Sequence, residues 1–106
     1  MKTKNIKNLL PLPCNIYLKD GDGLLLECNK HQTEDLGKNK RLIIGKNTED
    51  LISDKVENNQ IRKNDKKVLH YNKSLYFIEP AHMRLYFSYK KPHANDENKI
   101  DTVSYT

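Results

Sequence analysis

The chain of 106 residues has no tryptophan, only two phenylalanines and only two cysteines, and each shortage removes a class of explanation. Cys14 and Cys28 form no CxxC pair, and no histidine pair stands at ligand spacing, so neither a zinc site nor a disulfide framework is implied. They read as reduced, buried thiols. Long apolar runs are also missing: Leu24-Leu25-Leu26 and Leu42-Ile43-Ile44 fall far short of the roughly 18 residues that cross a bilayer. At the start, Pro11 and Pro13 cut the stretch around Ile6, Leu9 and Leu10 too short for a secretory h-region, so a cytoplasmic protein without membrane insertion is expected. No glycine-rich phosphate loop, aromatic-basic RNA-binding box or helix-turn-helix pattern occurs.

What is present is charge, at 31% of residues with a net value of +5. The lysines and arginines are scattered and interleaved with acids, which reads as a solvated surface rather than a nucleic-acid footprint. A chain of this length makes one domain, burying about two-thirds of the surface its unfolded form would expose.

Asn15 to Leu18, Asp20-Gly21-Asp22-Gly23 and Leu24 to Cys28 read as a β-hairpin, with Asp-Gly supplying the positive φ of a tight turn. The tetrad also resembles the start of a calcium loop, but His31 stands where that loop needs its bidentate acid. Asn29 is a good N-cap for a helix over Lys30 to Leu36, and Gly37 fits its left-handed stop. A turn over Arg41 to Ile44 ends at Gly45, and Asn47 caps another through Glu49 to Ile52. The longest helix is expected from about Asp54 to Tyr71, with Asp54 and Glu57 as a capping box and Val56, Ile61, Val68 and Leu69 as its apolar stripe. Asp65 points toward that buried side, as a hydrogen-bonded acid at the core edge. As a general base it would need an acid or oxyanion donor nearby, and the sequence designates none.

Three strand-like runs follow, Leu75 to Glu79, Met83 to Lys91 and Ile100 to Thr106, with Pro92 to Asn98 as the link between the last two. Two strands, several helices and three strands is not βαβ alternation, and it fits an α+β domain with a five-stranded antiparallel sheet. Met83, Leu85, Phe87 and Tyr89 alternate with Arg84, Tyr86, Ser88 and Lys90, so both faces of that strand carry bulky groups. Helices cover one face, and a partner surface or the N-terminal segment is expected on the other.

Leu12-Pro13, Tyr17-Leu18-Lys19-Asp20, Gly23, Cys28-Asn29-Lys30, Gly37, Ile44-Gly45-Lys46, Asn64-Asp65 with Val68-Leu69, and Ser88-Tyr89-Lys90-Lys91-Pro92 resemble, in order and spacing, a bacterial PAS domain of the kind found in sensor histidine kinases. The resemblance spans 12–106, leaving 1–11 as an N-terminal extension or cap helix. It implies strand order 2-1-5-4-3 with flanking helices. It further implies a sensory and relay module without chemistry of its own, belonging to a larger signalling protein whose output domain lies elsewhere in the parent chain. Its pocket for a small ligand would be lined by Ile61, Asp65, Val68, Tyr76, Ile78, Tyr86 and Ser88. The opposite sheet face, with Met83, Leu85, Phe87, Tyr89, Val103 and Tyr105 and the segment of Ile6, Leu9 and Leu10, would form a homodimer and relay surface.

Two cofactors of the family are disfavoured. Flavin photosensors carry an Asn-Cys-Arg motif, whereas Cys28 precedes Asn29 at a strand end. Haem-binding members place a histidine on the long helix, where Asn64 and Asp65 stand here, with His70 further on. His31, His82 and His93 are expected at exposed helix or loop positions. Where many relatives end their last strand in Asp-Ile-Thr, this chain has Ser104-Tyr105-Thr106, without the acid that anchors the output linker.

Overall fold

The computed structural model describes residues 13–94 and 96–105, apart from the side chains of Glu97 and Tyr105. The expectations for Ile6, Leu9 and Leu10, for the Tyr105 side chain and for Thr106 fall outside the described residues.

Strands β1 (Asn15–Asp20) and β2 (Leu25–Cys28) are joined as expected, and the positive φ comes from the second Asp-Gly pair, at Gly23 with φ 86°. Asp20 organises this turn: its carbonyl accepts from Gly23 N, and its carboxylate accepts from Asp22 N and Leu24 N. A Cβ at position 23 would also displace the flexible Arg62 guanidinium, but the positive φ is what calls for glycine.

Helix α1 (Lys30–Leu36) begins at Asn29, whose side chain accepts from Gln32 N and Ile16 N and thereby ties the helix start to β1. It ends in a Schellman arrangement, with Gly37 N bonded to Glu34 O and Lys38 N to Thr33 O. A short 3-10 turn (Lys40–Leu42) and helix α2 (Thr48–Leu51) follow, α2 opening with Asn47 N donating to Asp50.

Helix α3 (Lys55–Tyr71) is capped by Asp54, which accepts from Glu57 N, and it stops at Asn72 in the left-handed conformation. Two expectations for it need correction. Val56 lies 75% exposed, outside the stripe, and the buried positions are Asn58, Ile61, Asn64, Asp65 and Val68. The face packed on the sheet is therefore mostly polar. Glu57 does not close a capping box; its carboxylate accepts from His82 N and Met83 N in the next hairpin.

Strands β3 (Leu75–Ala81), β4 (Arg84–His93) and β5 (Asp96–Tyr105) complete one antiparallel sheet of order β2-β1-β5-β4-β3, so the α+β architecture is as expected. β4 and β5 are longer than their apolar runs: Pro92 pairs with Ile100, and the register slips between Pro92 and His93. His93 is consequently buried, against Asp101 at 2.9 Å, instead of exposed in a loop. Met83 is also displaced from the expected strand. It sits with His82 in the β3–β4 turn, both with positive φ, and is 96% exposed.

Candidate functional site: a charged core beside a small cavity

Parity along β4 puts Tyr86, Ser88 and Lys90 on the helix side and Leu85, Phe87 and Tyr89 outward. The register then fixes the neighbouring strands: Glu79 pairs with Tyr86 and Phe77 with Ser88, while Ile78 pairs with Phe87 and Tyr76 with Tyr89. Tyr76 and Ile78 thus belong to the outer face, opposite to expectation, and each is 66% exposed. Their apolar character pointed inward, yet a one-residue change of phase reverses every side chain of a strand, and the inward place goes to Glu79.

Glu79 is accepted there because its charge is matched. Asp65, one α3 turn from Ile61, meets Lys90 of β4 at 2.5 Å and Lys19 of β1 at 3.1 Å. Lys90 also meets Glu79 at 2.7 Å, Asn64 donates to Glu79 at 3.0 Å, and Lys19 donates to Thr48 at 2.9 Å. All four charged side chains are at most 4% exposed, and two cations face two anions. Burial opposes ionisation of Asp65, but Lys19 and Lys90 outweigh it and hold its carboxyl below the usual range. Burial likewise opposes the Lys90 charge, and Asp65, Tyr17 and Glu79 overcome it, raising its affinity for a proton. For Lys19 burial prevails and the ammonium is pulled down. With both oxygens engaged by ammonium groups, Asp65 has little capacity left to take a proton from a ligand.

A second polar cluster joins α1 to the sheet. Asp35 accepts from Tyr86 Oη at 2.6 Å, Asn15 Nδ2 at 2.9 Å and Arg84 Nη1 at 3.1 Å. Burial and then the Asp35 bond push the Tyr86 phenol up to about 12. His31 Nδ1 lies 2.7 Å from Asn15 Oδ1 on the same side.

Between these clusters lies a cavity of about 50 Å³. Of the residues expected to form a pocket, Ile61, Tyr86 and Ser88 line it; Asp65 and Val68 are buried without reaching it. Lys19, Gln32, Leu36, Leu51, Ile52 and Glu79 add walls that the sequence reading did not include. The missed lysine had a signal, since Asn15, Tyr17 and Lys19 share a strand face. Among the described residues, four buried polar atoms have no partner, Gln32 Oε1, Asn58 Oδ1, Ser88 Oγ and Thr102 Oγ1, and both Gln32 and Ser88 line the cavity. The volume is well below the roughly 300–1,000 Å³ of sites for drug-sized molecules, so neither a flavin ring nor a porphyrin fits as the side chains stand.

The outward face is apolar where the strands are least covered. Tyr76 stacks on Phe87 at 5.9 Å and touches Tyr89 at 4.9 Å, and Leu85 is 66% exposed beside them. Val103 is half-buried opposite Tyr89. Among the described residues no helix is long and apolar enough to cross a membrane, and no group of three or more metal-ligating side chains occurs.

Solved structures share this fold. The RpfR quorum-sensing receptor PAS domain of Cronobacter turicensis, in complex with BDSF, aligns with a TM-score of 0.76 at 18% identity, over 88% of this chain and 92% of its own. The chain has the PAS fold. A domain of a sensory box sensor histidine kinase/response regulator from Geobacter sulfurreducens matches at 0.74 and 13% identity, over 98% and 93% of the two chains. The PAS domain of an HTR-like protein from Haloarcula marismortui matches at 0.70 and 15%, over 97% and 89%. No family model and no curated protein matches the sequence. Within the PAS fold, the cavity lies between α3 and the inner sheet face, and the apolar surface lies on the outer one.

Proposed function

We propose that this chain is the sensory and relay module of a larger cytoplasmic signalling protein of the sensor histidine kinase kind. It takes a small molecule in the inner cavity and passes the change to a homodimer partner or output domain through the outer sheet face. The observation that carries this reading is the adjacency of Phe87 and Ser88 on β4: Ser88, whose buried hydroxyl has no partner, lines the cavity, and Phe87 belongs to the exposed aromatic patch. One strand therefore touches both the ligand site and the relay surface. An exposed cluster of large apolar groups on a sheet is the usual mark of an interaction surface. Residues 1–11 are proposed to cover part of this surface, and 12–106 to form the folded unit.

The core occupied by its own ion pairs favours a second reading, a ligand-free dimerisation platform. Sedimentation equilibrium on wild type and Ser88→Leu separates the two. If inner and outer faces are coupled, filling the cavity shifts the dimer dissociation constant several-fold. A wild-type dimer indifferent to Ser88→Leu supports the platform, and a strict monomer at high concentration contradicts the homodimer and leaves only relay to an output domain.

A further inference from the structure

The charges around the cavity are already balanced. Lys19 and Lys90 are matched by Asp65 and Glu79, and Asp35 by Arg84. A charged guest would enter as an uncompensated ion in a nearly dry site, which is strongly unfavourable. What is left unmatched is neutral: the carbonyl oxygen of Gln32 and the hydroxyl of Ser88, both shielded from solvent. The Gln32 oxygen only accepts, while the Ser88 hydroxyl donates or accepts. The aliphatic part of the wall comes from Leu25, Leu36, Leu51, Ile52 and Ile61.

We infer that the cavity is built for a small uncharged molecule with at least one hydrogen-bond donor, of the alcohol or primary amide class, whose polar group bridges Gln32 Oε1 and Ser88 Oγ while a short hydrocarbon part faces the aliphatic wall. This rests on the ligand-binding reading above. The size follows from the volume. A cavity of about 50 Å³ is a third of the roughly 150 Å³ that admits benzene in an apolar protein cavity, so the guest has a few non-hydrogen atoms. The net neutrality of four buried side chains sets the selectivity against ions, and no surface lysine is needed to explain it.

The test is a nitrogen-15 NMR titration of the full chain with four probes of matched shape: 1-propanol, propionamide, propionate and propylammonium. The expected result is saturable shifts of the Ser88 and Gln32 signals with the two neutral probes, at least tenfold weaker binding of both ions, and loss of about tenfold in neutral-probe affinity in Ser88→Ala. Gln32→Met gives an independent check, because its site on α1 is half-buried and the substitution keeps the chain length. Ions binding as tightly as the neutral probes, or neutral binding indifferent to both substitutions, would overturn the ligand class and leave the sensory reading standing. No binding by any probe, together with a crystal structure in which ordered water alone satisfies Ser88 Oγ and Gln32 Oε1, would remove both.

Discussion

The Lys90 ammonium lies 2.5 Å from the Asp65 carboxylate, with the two side chains 0% and 4% exposed. Neither charge could stand there alone. Removing one member of a buried pair leaves the other uncompensated, which typically costs about 3–5 kcal/mol. Asp65→Asn is nearly isosteric and should lower the free energy of unfolding by that amount in chemical denaturation. Lys90→Met should do the same, and the double substitution should cost clearly less than the sum of the two.

The same carboxylate sets the acid limit of stability. Its pKa in the folded chain is depressed against burial by Lys19 and Lys90, so its contribution is fully present above the unfolded carboxylate value of about 4. That contribution is lost as pH falls through the lower folded value. A denaturation series from pH 6 downward should show Asp65→Asn losing less stability on acidification than wild type.

Tyr86 governs an alkaline effect of opposite sense. Burial and the bond to Asp35 raise its phenol from 10.0 to about 12, so the folded chain keeps a proton that the unfolded chain gives up. The stabilisation is intact below about pH 10 and lost as pH rises through about 12. Absorbance titration should show one tyrosine ionising near pH 12 that disappears in Tyr86→Phe. That substitution should also cost about 1.5–3 kcal/mol at neutral pH, as expected for a hydrogen bond to a charged group.

The β3–β4 turn is held by an unusual bargain. His82 and Met83 both adopt positive φ, a conformation that costs side chains with a Cβ about 1–2 kcal/mol each, and Glu57 on α3 satisfies both of their N–H groups. Met83→Gly should stabilise the chain by about 0.5–1 kcal/mol in thermal unfolding, since no side-chain packing is lost at this exposed site. Glu57→Ala should destabilise it by about 1 kcal/mol.

On the outer face, Leu85→Asp and Phe87→Asp are expected to change monomer stability little, because these side chains are 66% and 42% exposed. Each should raise the dimer dissociation constant by tenfold or more in sedimentation.

Backbone punctuation carried much of the fold. Asn29, Gly37, Asp54 and Asn72 bound their helices where cap chemistry puts them, and β4 alternates as its sequence does. The site was harder to read, because its walls break the rule that buried means apolar. Phe77 and Glu79 face inward while Tyr76 and Ile78 face out, an inversion that follows only from the pairing of β3 with β4 and from the distant Lys90 that matches Glu79. Val56 fell outside the helix stripe for a related reason: α3 packs through Asn58, Asn64 and Asp65, whose partners lie on other elements. Strand ends were lost to Pro92, which stops an apolar run without ending the ladder.

The most direct test of the account watches the outer face while the inner one is filled. With 1-propanol added to the labelled chain, the Leu85 methyl and Phe87 ring signals should shift along the same saturation curve as the Ser88 amide, and the apparent mass in sedimentation should change with them. Saturation at Ser88 with Leu85, Phe87 and the mass unmoved would contradict relay through β4.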